Sequence, residues 1–434
     1  MKIKKIIALF LSCLMVLACF AGCSNKDVAD APAANAPAAD APTVDAPAAD
    51  PSVSGSLTIW QNNYAMEAPL TAVIEGFNAI YPDVIVEYEI MDPETYDTLL
   101  GTAIQAGEAP DLFWTNGTAT AVMGDAAAAG ALLDLTDVVD FSAIVPDSLA
   151  ISTIDDQIWS VPWLNIDTKT VFYNKDMFAE NGWEVPNTFS EYEALLASVK
   201  EAEIIPLSVP FDVTFINHNW QTVCTAMYPE YSSTVIRGEE FAISDEATIK
   251  SLEKVVEWGN LGYYGDNWTG LTDFNEAILQ FVTGKAAMMP CGSWNSSLMI
   301  ESNPNLNLGA FAVPAEDGSR GIVTSWANGF SVNANSQNPD AALAFINYCA
   351  SLEGQTAWVQ ALGAIPATDA IVASTELANE ITAGVSNYFT DWLDEVDVVC
   401  PEAKVLFRDR LDDACLGDQS VEELLNEMQA LADK

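Results

Sequence analysis

The amino-terminal part of the folded body alternates between two hydrophobic periodicities, and this alternation narrows the choice of fold more than any other feature. An alternating stretch ends at Trp60, which predicts a strand, and apolar residues then recur at helical spacing until Pro82. A second alternating run from 84 to 90, a second helical pattern and a third strand ending at Trp114 follow. The order β-α-β-α-β predicts right-handed crossovers and a parallel sheet, so we expect an α/β fold.

Two of the predicted strands end in tryptophan. In open α/β sheets, ligands bind beyond the carboxyl ends of the strands, and Trp60 and Trp114 both lie there. Two tryptophans at one edge of a sheet suit a binding cleft better than a buried core.

The composition restricts the class of partner that this chain can bind, and its length restricts the number of domains. The chain has 434 residues, with 16 Lys and Arg against 62 Asp and Glu, giving a formal net charge of −46. Nucleic-acid binders need a cationic surface, so this balance argues against a nucleic-acid partner. Half of the residues (50%) are hydrophobic, which indicates a globular chain long enough for two domains.

The first 54 residues read as export and tethering segments. A lysine-rich start and an apolar run predict a signal peptide over 1–22, and the segment up to Cys23 resembles the lipobox of bacterial lipoproteins. We expect Cys23 to carry lipid; Cys19 is a weaker competitor, and an ordinary cleaved signal with an incidental Cys23 is the alternative. No later segment is long and apolar enough to predict a membrane span.

Residues 23–54 form an Ala-, Pro- and Asp-rich tether in which Asp or Asn recurs every five residues from Asp30 to Asp50. About 30 residues of extended polyproline II reach about 90 Å. Such a length suits a thick, Gram-positive type of cell wall. The folded body is therefore expected outside the cell, at the outer face of the cytoplasmic membrane.

The usual catalytic and metal-binding motifs are missing from the sequence. His218 is the single histidine, and the cysteines after Cys23 show no metal-ligand spacing. We therefore predict no enzyme activity, cofactor or metal, although paired carboxylates for glycoside hydrolysis stay open among so many acids. A bridge between Cys400 and Cys415 also stays open.

Five strings of the body resemble, in order, the signatures of family 1 extracellular solute-binding proteins, the receptors that feed sugar ABC importers. They are AGEAPDLF at 106–113, GALLDLTD at 130–137, VFYNKDMF at 171–178, FVTGKAAM at 281–288 with Gly-Ser-Trp at 292–294, and AALAFI at 341–346 with Gly354-Gln355. The resemblance covers about Gly55 to Lys434.

This resemblance implies a two-lobe, periplasmic-binding-protein-like α/β fold, in which each hinge-linked lobe has a mostly parallel sheet flanked by helices. The amino-terminal lobe is expected to comprise 55–162 and 323–375, and the carboxyl-terminal lobe 163–322 and 376–434. It further implies a monomer that captures a carbohydrate between the lobes and delivers it to ABC importer permease subunits. A secreted carbohydrate-active enzyme and an adhesive surface lipoprotein are the alternatives.

Sugar rings stack on aromatic side chains, and their hydroxyls pair with amides. Several tryptophans stand beside amides at predicted strand ends or crossings, and we take as candidate ligand-binding residues Trp60, Asn62, Trp114, Asn116, Trp163, Asn165, Trp220, Trp294, Trp326 and Asn328. Trp114 and Trp294 fall where maltodextrin-binding relatives carry stacking tryptophans. For any one candidate, a half-buried core position is the alternative, and Trp258, Trp358 and Trp392 are expected in the core.

One position departs from the maltodextrin-binding pattern. Lys404 stands where those relatives carry a further stacking aromatic, which favours a smaller sugar or an acidic sugar paired with Lys404. His218 is either a donor to a solute hydroxyl or a structural histidine.

Overall fold

A computed structural model of the chain describes residues 52–119, 121–230, 236–237 and 240–434, and for a few of these, Trp326 among them, the backbone alone. The predicted signal peptide, Cys23 and the tether up to residue 51 lie outside the described residues. Within them, no helix combines the length and the apolar character needed to cross a membrane.

Strands and helices alternate along most of the described chain. The strands are β1 Gly55–Gln61, β2 Val84–Ile90, β3 Leu112–Thr115, β4 Thr153–Ile154, β5 Gln157–Ile158, β6 Val161–Asn174, β7 Ile205–Leu207, β8 Ile236–Arg237, β9 Glu240–Phe241, β10 Ala286–Gly292, β11 Leu308–Phe311, β12 Arg320–Val332, β13 Ile365–Pro366 and β14 Val385–Phe389. The helices are α1 Glu67–Ile80, α2 Pro93–Ala106, α3 Ala121–Ala128, α4 Lys175–Asn181, α5 Phe189–Glu201, α6 Val213–Met227, α7 Glu246–Asn260, α8 Phe274–Val282, α9 Ser296–Ser302, α10 Pro339–Ala350, α11 Leu352–Leu362, α12 Glu376–Thr382, α13 Trp392–Val399, α14 Pro401–Leu416 and α15 Val421–Ala432.

The predicted opening β-α-β-α-β unit is confirmed. β1 pairs in parallel with β2 on one side and with β3 on the other, so that Trp60 lies opposite Phe113. The first helix ends at Ile80, before Pro82, because proline cannot continue a helix.

Two long strands cross from one lobe to the other. At its carboxyl end β12 pairs with β3, and at its start it pairs in parallel with β14. β6 runs antiparallel to β12 and continues to pair with β10 and β11. The crossing is tight at Gly329, where a Cβ atom would lie 1.6 Å from the carbonyl oxygen of Val161.

The buried apolar residues fall into separate cores on the two sides of these strands. One core draws on residues between Leu57 and Leu164 and between Ala327 and Ile371. A second extends from Val171 to Met428, and a smaller third one packs around Phe172. The predicted α/β fold with two lobes is confirmed, while the lobe limits given above stay predictions.

The predicted core tryptophans of the helices are indeed buried, with Trp258, Trp358 and Trp392 exposing 1–2% of their surface. Cys400 and Cys415 are buried thiols with no bridge between them in the described chain. The possibility of a Cys400–Cys415 disulfide is therefore not realised.

Candidate functional site

The ends of β1 and β3 lie together at one edge of the amino-terminal sheet. The hydroxyl of Tyr96 donates to the carbonyl oxygen of Trp114 at 2.8 Å and lies 3.4 Å from that of Trp60. The buried Tyr96 thus fixes the two strand ends side by side. Trp60 stays partly exposed, whereas Trp114 exposes only 6% and stacks on Trp358 with ring centroids 5.9 Å apart.

Two predicted ligand-binding tryptophans lie in the cores instead. Trp163 is fully buried and stacks on Trp358 with ring centroids 4.1 Å apart. Trp220 exposes 1%, and its indole nitrogen donates to Ser251 Oγ at 2.7 Å inside the carboxyl-terminal lobe. Both tryptophans belong to the buried apolar cores, which is the alternative position stated for any one candidate. A contact of either ring with a solute stays a prediction.

The four asparagines predicted to bind the ligand also divide into partly exposed and buried residues. Asn62, Asn116 and Asn328 are partly exposed, and Asn116 Oδ1 accepts from the indole nitrogen of Trp114 at 3.0 Å. Asn165 is instead fully buried in the crossing strand, where its Nδ2 donates to Asp167 Oδ1 at 2.6 Å. Three of the four amides are therefore accessible to a solute.

Trp294 lies where the lobes meet. It belongs to a 3₁₀ turn, Ser293–Asn295, that follows β10, and it is partly buried against the amino-terminal core. A Cβ on Gly292 would lie 2.2 Å from the indole, so only glycine lets the ring fold back over the chain. Ser293 Oγ accepts from the backbone nitrogen of Thr168 at 3.1 Å, which fastens this turn to β6.

A second contact joins the lobes close by. Ser297 Oγ, on α9, donates to the carbonyl oxygen of Ala65 in the amino-terminal lobe at 3.1 Å. Helix α13 also contacts the turn Gly117–Ala119, which follows β3. Both contacts link the carboxyl-terminal lobe to the amino-terminal one.

A buried ion pair lies next to Trp294. Lys169 Nζ, on β6, is 2.5 Å from Asp391 Oδ2, and the two residues expose 4% and 8%. The same ammonium lies 5.5 Å from the centre of the Trp294 ring. Asp391 begins α13, and its Oδ1 accepts from the backbone nitrogen of Leu393 at 3.0 Å and from Gln221 Nε2 at 3.2 Å.

The electrostatics of this cluster follow from burial and from that pair. Burial alone would raise the pKa of Asp391, but the Lys169 ammonium outweighs it and lowers this pKa to about 2. Burial raises the pKa of Asp167 to about 7 although Lys169 opposes the shift. Burial and then the Asp391 carboxylate raise the pKa of Asp394 to about 7. One full ion pair and two carboxyls with raised pKa values therefore lie on β6 and at the start of α13.

His218 faces the same ring. It is buried on α6, and its imidazole meets Trp294 edge to face at 5.6 Å and 86°. Burial and then the Lys169 ammonium lower the pKa of His218 to about 3, against the opposing effect of Asp391. The imidazole is therefore neutral at physiological pH. Nδ1 is buried without a hydrogen-bond partner in the described structure, as are polar atoms of several core residues, so both expected roles of His218 stay open.

Other buried polar atoms also lack a hydrogen-bond partner among the described residues. They include Gln61 Nε2, at the end of β1, and Asn165 Oδ1, in the crossing strand, and also core atoms such as the Tyr192 hydroxyl and the indole nitrogen of Trp358. Leaving such atoms unpaired costs about 1–3 kcal/mol each.

Lys404 does not act as expected. It is buried on α14, and its Nζ donates to Asp397 Oδ2 at 2.7 Å. Because its charge is already matched, Lys404 offers no unpaired cation to an acidic sugar. Trp326 pairs with Ile166 through its backbone, and its side chain lies outside the described part of the structure.

Sequence reasoning missed Gln61, Lys169 and Asp391. Lys169 lies in an apolar strand beside the solute-binding signature, and its partner lies more than 200 residues further along the chain. No local pattern connects them. Among the described residues, no group of three or more His, Cys, Asp or Glu side chains is arranged to hold a metal ion.

Two lobes, crossing strands and a polar, aromatic junction between them define a hinged receptor for a small solute. Residues 72–384 match the family model of bacterial extracellular solute-binding proteins, so this chain belongs to that family.

Curated relatives are distant in sequence. The chain is 22% identical over 303 residues to the multiple sugar-binding protein of Streptococcus mutans, covering 65% of this chain and 68% of the relative. It is 20% identical over 392 residues to the galactooligosaccharide-binding protein of Bacillus subtilis, covering 88% and 86%.

Solved structures share the fold over nearly their whole length. A chitin oligosaccharide binding protein has a TM-score of 0.70 at 23% identity, covering 88% of this chain and 98% of that one. The solute-binding protein RafE in complex with raffinose has a TM-score of 0.68 at 20% identity, covering 88% and 99%.

Proposed function

We propose that this protein captures a carbohydrate, between a monosaccharide and an oligosaccharide in size, at the junction of its lobes and delivers it to the permease subunits of an ABC importer. The observation that carries the proposal is Trp294, a partly exposed indole at the junction, in contact with a buried histidine that lacks a hydrogen-bond partner among the described residues. An aromatic ring beside unpaired polar atoms complements the apolar face and the hydroxyls of a sugar.

The named relatives support the class of solute. The S. mutans and B. subtilis proteins are named for sugars, and the solved structures include complexes with raffinose and with α-D-tagatose. Their solutes differ in size, so they do not single out one sugar for this chain.

Among the predicted residues, we propose that Trp294, Trp60 and the partly exposed Asn62, Asn116 and Asn328 contact the solute. Trp114 contributes at most an edge, because 94% of it is covered and its indole nitrogen already donates to Asn116. The solute would then touch both lobes.

Contact with both lobes provides a mechanism for closure. Ser297 and Trp294 already reach from the carboxyl-terminal lobe to the amino-terminal one. A solute that adds bridges in the closed state binds that state more tightly and shifts the population toward it. The solute leaves chemically unchanged, and the receptor works as a monomer.

We also propose that the lipid on Cys23 and the tether hold this body at the outer face of the cytoplasmic membrane. The basis is the cationic and apolar start followed by Ala-Gly-Cys. Replacing Cys23 with Ala should release the protein into the medium. Retention of the variant with the membrane fraction, as for the parent, would contradict the anchor.

Calorimetry and thermal shifts against galactose, tagatose, raffinose and chitobiose test the binding function. A ligand specific to the folded state stabilises it by about 2.7 kcal/mol at 100 times its Kd. Small-angle scattering of the saturated protein should show compaction. Sugar hydrolysis during incubation would instead support the enzyme alternative, and binding of polymer without compaction would support an adhesin.

A further inference from the structure

A corner of the lobe junction is built from Lys169, His218 and Trp294, which come from β6, α6 and the turn after β10. The indole contacts both other side chains, with the ammonium 5.5 Å from the ring centre and the imidazole 5.6 Å from it. We propose that this corner determines specificity: His218 Nδ1 and the Lys169 ammonium together bind adjacent hydroxyls of an uncharged solute. The proposal rests on the proposed function and names the residues that select the solute.

His218 brings an unused hydrogen-bonding atom. The residue exposes 6% of its surface, and Nδ1 has no partner in the described part of the chain. Its other ring neighbour is the apolar face of Phe215, 5.6 Å away, which cannot satisfy a nitrogen. Because the imidazole is neutral, Nδ1 is a hydrogen-bond acceptor or a donor according to the tautomer. A hydroxyl can pair with it in either case, since it both donates and accepts.

Lys169 has hydrogen-bond donors that its ion pair with Asp391 does not use. An ammonium has three N–H groups, and Asp391 Oδ2 engages one of them. The other carboxylate oxygen is occupied by the backbone nitrogen of Leu393 and by Gln221. Lys169 is thereby held in place by Asp391, with its ammonium 5.5 Å from the centre of the Trp294 ring.

The charges around the corner select against charged solutes. Asp391 matches the charge of Lys169, so a solute carboxylate would add an unmatched negative charge beside Asp167 and Asp394. A solute ammonium would face Lys169 directly. Neutral hydroxyls avoid both costs because they exchange hydrogen bonds without adding charge.

The test compares His218→Phe with the parent by calorimetry, using galactose, tagatose, raffinose and chitobiose as probes. We expect at least a tenfold weaker affinity for the sugar that the parent binds best, with an unchanged or higher melting temperature, because phenylalanine removes the unpaired nitrogen. His218→Asn, which restores a polar atom, should recover part of the affinity. Trp220→Phe, two residues along the same helix, is the control and should leave Kd within twofold.

A structural role for His218 would give the opposite result, a lower melting temperature with affinity kept within twofold, and would overturn the inference while leaving the proposed function intact. Galacturonic acid and galactosamine test the charge argument, and each should bind at least tenfold more weakly than galactose. Equal binding of either would refute it. If the parent binds none of the sugars, the proposed function fails and the inference falls with it.

Discussion

Replacing Lys169 with methionine should destabilise the protein far more than removal of a surface lysine. Methionine keeps much of the apolar stem but leaves Asp391 without its cation, 8% exposed, in the interior. The hydrogen bonds from Gln221 and from the start of α13 remain and hold part of the carboxylate charge.

The size of the effect follows from burial. Two unit charges about 4 Å apart attract by about 4 kcal/mol at an effective dielectric constant of about 20. Removing one partner of a buried pair typically costs about 3–5 kcal/mol, because the other charge stays desolvated. The exposed pair Lys250–Glu253, with side chains 55% and 42% exposed, provides the matched control. Lys250→Met should leave the free energy of unfolding nearly unchanged, because water already solvates both charges of an exposed pair.

Urea unfolding at pH 8 and pH 5, followed by fluorescence, measures both variants. The loss from Lys169→Met should be larger at pH 8, since without the ammonium the pKa of Asp391 rises and protonation relieves the unpaired charge at lower pH. Adding Asp391→Asn should recover much of the loss, because asparagine removes the charge and still caps α13. A loss no larger than that of Lys250→Met, or no recovery in the double variant, would refute the reasoning.

Three further outcomes follow from the site and the crossing strands. Trp294→Ala should weaken sugar binding at least about thirtyfold, equivalent to about 2 kcal/mol, and an unchanged calorimetric Kd would remove Trp294 from the site. Gly329→Ala should lower the melting temperature, because the added Cβ would overlap the Val161 carbonyl oxygen. A melting temperature equal to that of the parent would show that β6 and β12 can move apart at this point without loss of stability. The pKa values of Asp167 and Asp394 are raised to about 7, so that in this range the folded state binds more protons than the unfolded one. The free energy of unfolding should therefore fall as the pH rises from 5 to 8, by less than about 1.4 kcal/mol per pH unit for each group. Asp394→Asn should flatten that dependence in urea titrations, and an unaltered slope would contradict the burial of this carboxyl.

Predictions from local sequence patterns were reliable where the predicted feature depends on a single strand or helix. The strand through Trp60, the helix ending before Pro82 and the helical burial of Trp358 follow from periodicity and from proline chemistry. The structure contains all three, although the strand ends one residue later, at Gln61. Tryptophan next to an amide was a weaker guide. It selected Trp294 at the junction, but it also selected Trp163, whose ring stacks inside the core.

The sequence by itself determined the alternation of strands and helices, the family and the acidic character of the chain, because these depend on neighbouring residues or on totals. Which polar groups meet at the junction was decided only by the tertiary structure. Lys169, His218 and Asp391 come from a crossing strand and two separate helices, and the contacts that bring them together at the junction join distant positions of the chain. Folding brings them together out of water. This burial, which no local pattern encodes, forms the ion pair and leaves the imidazole without a hydrogen-bond partner in the described structure.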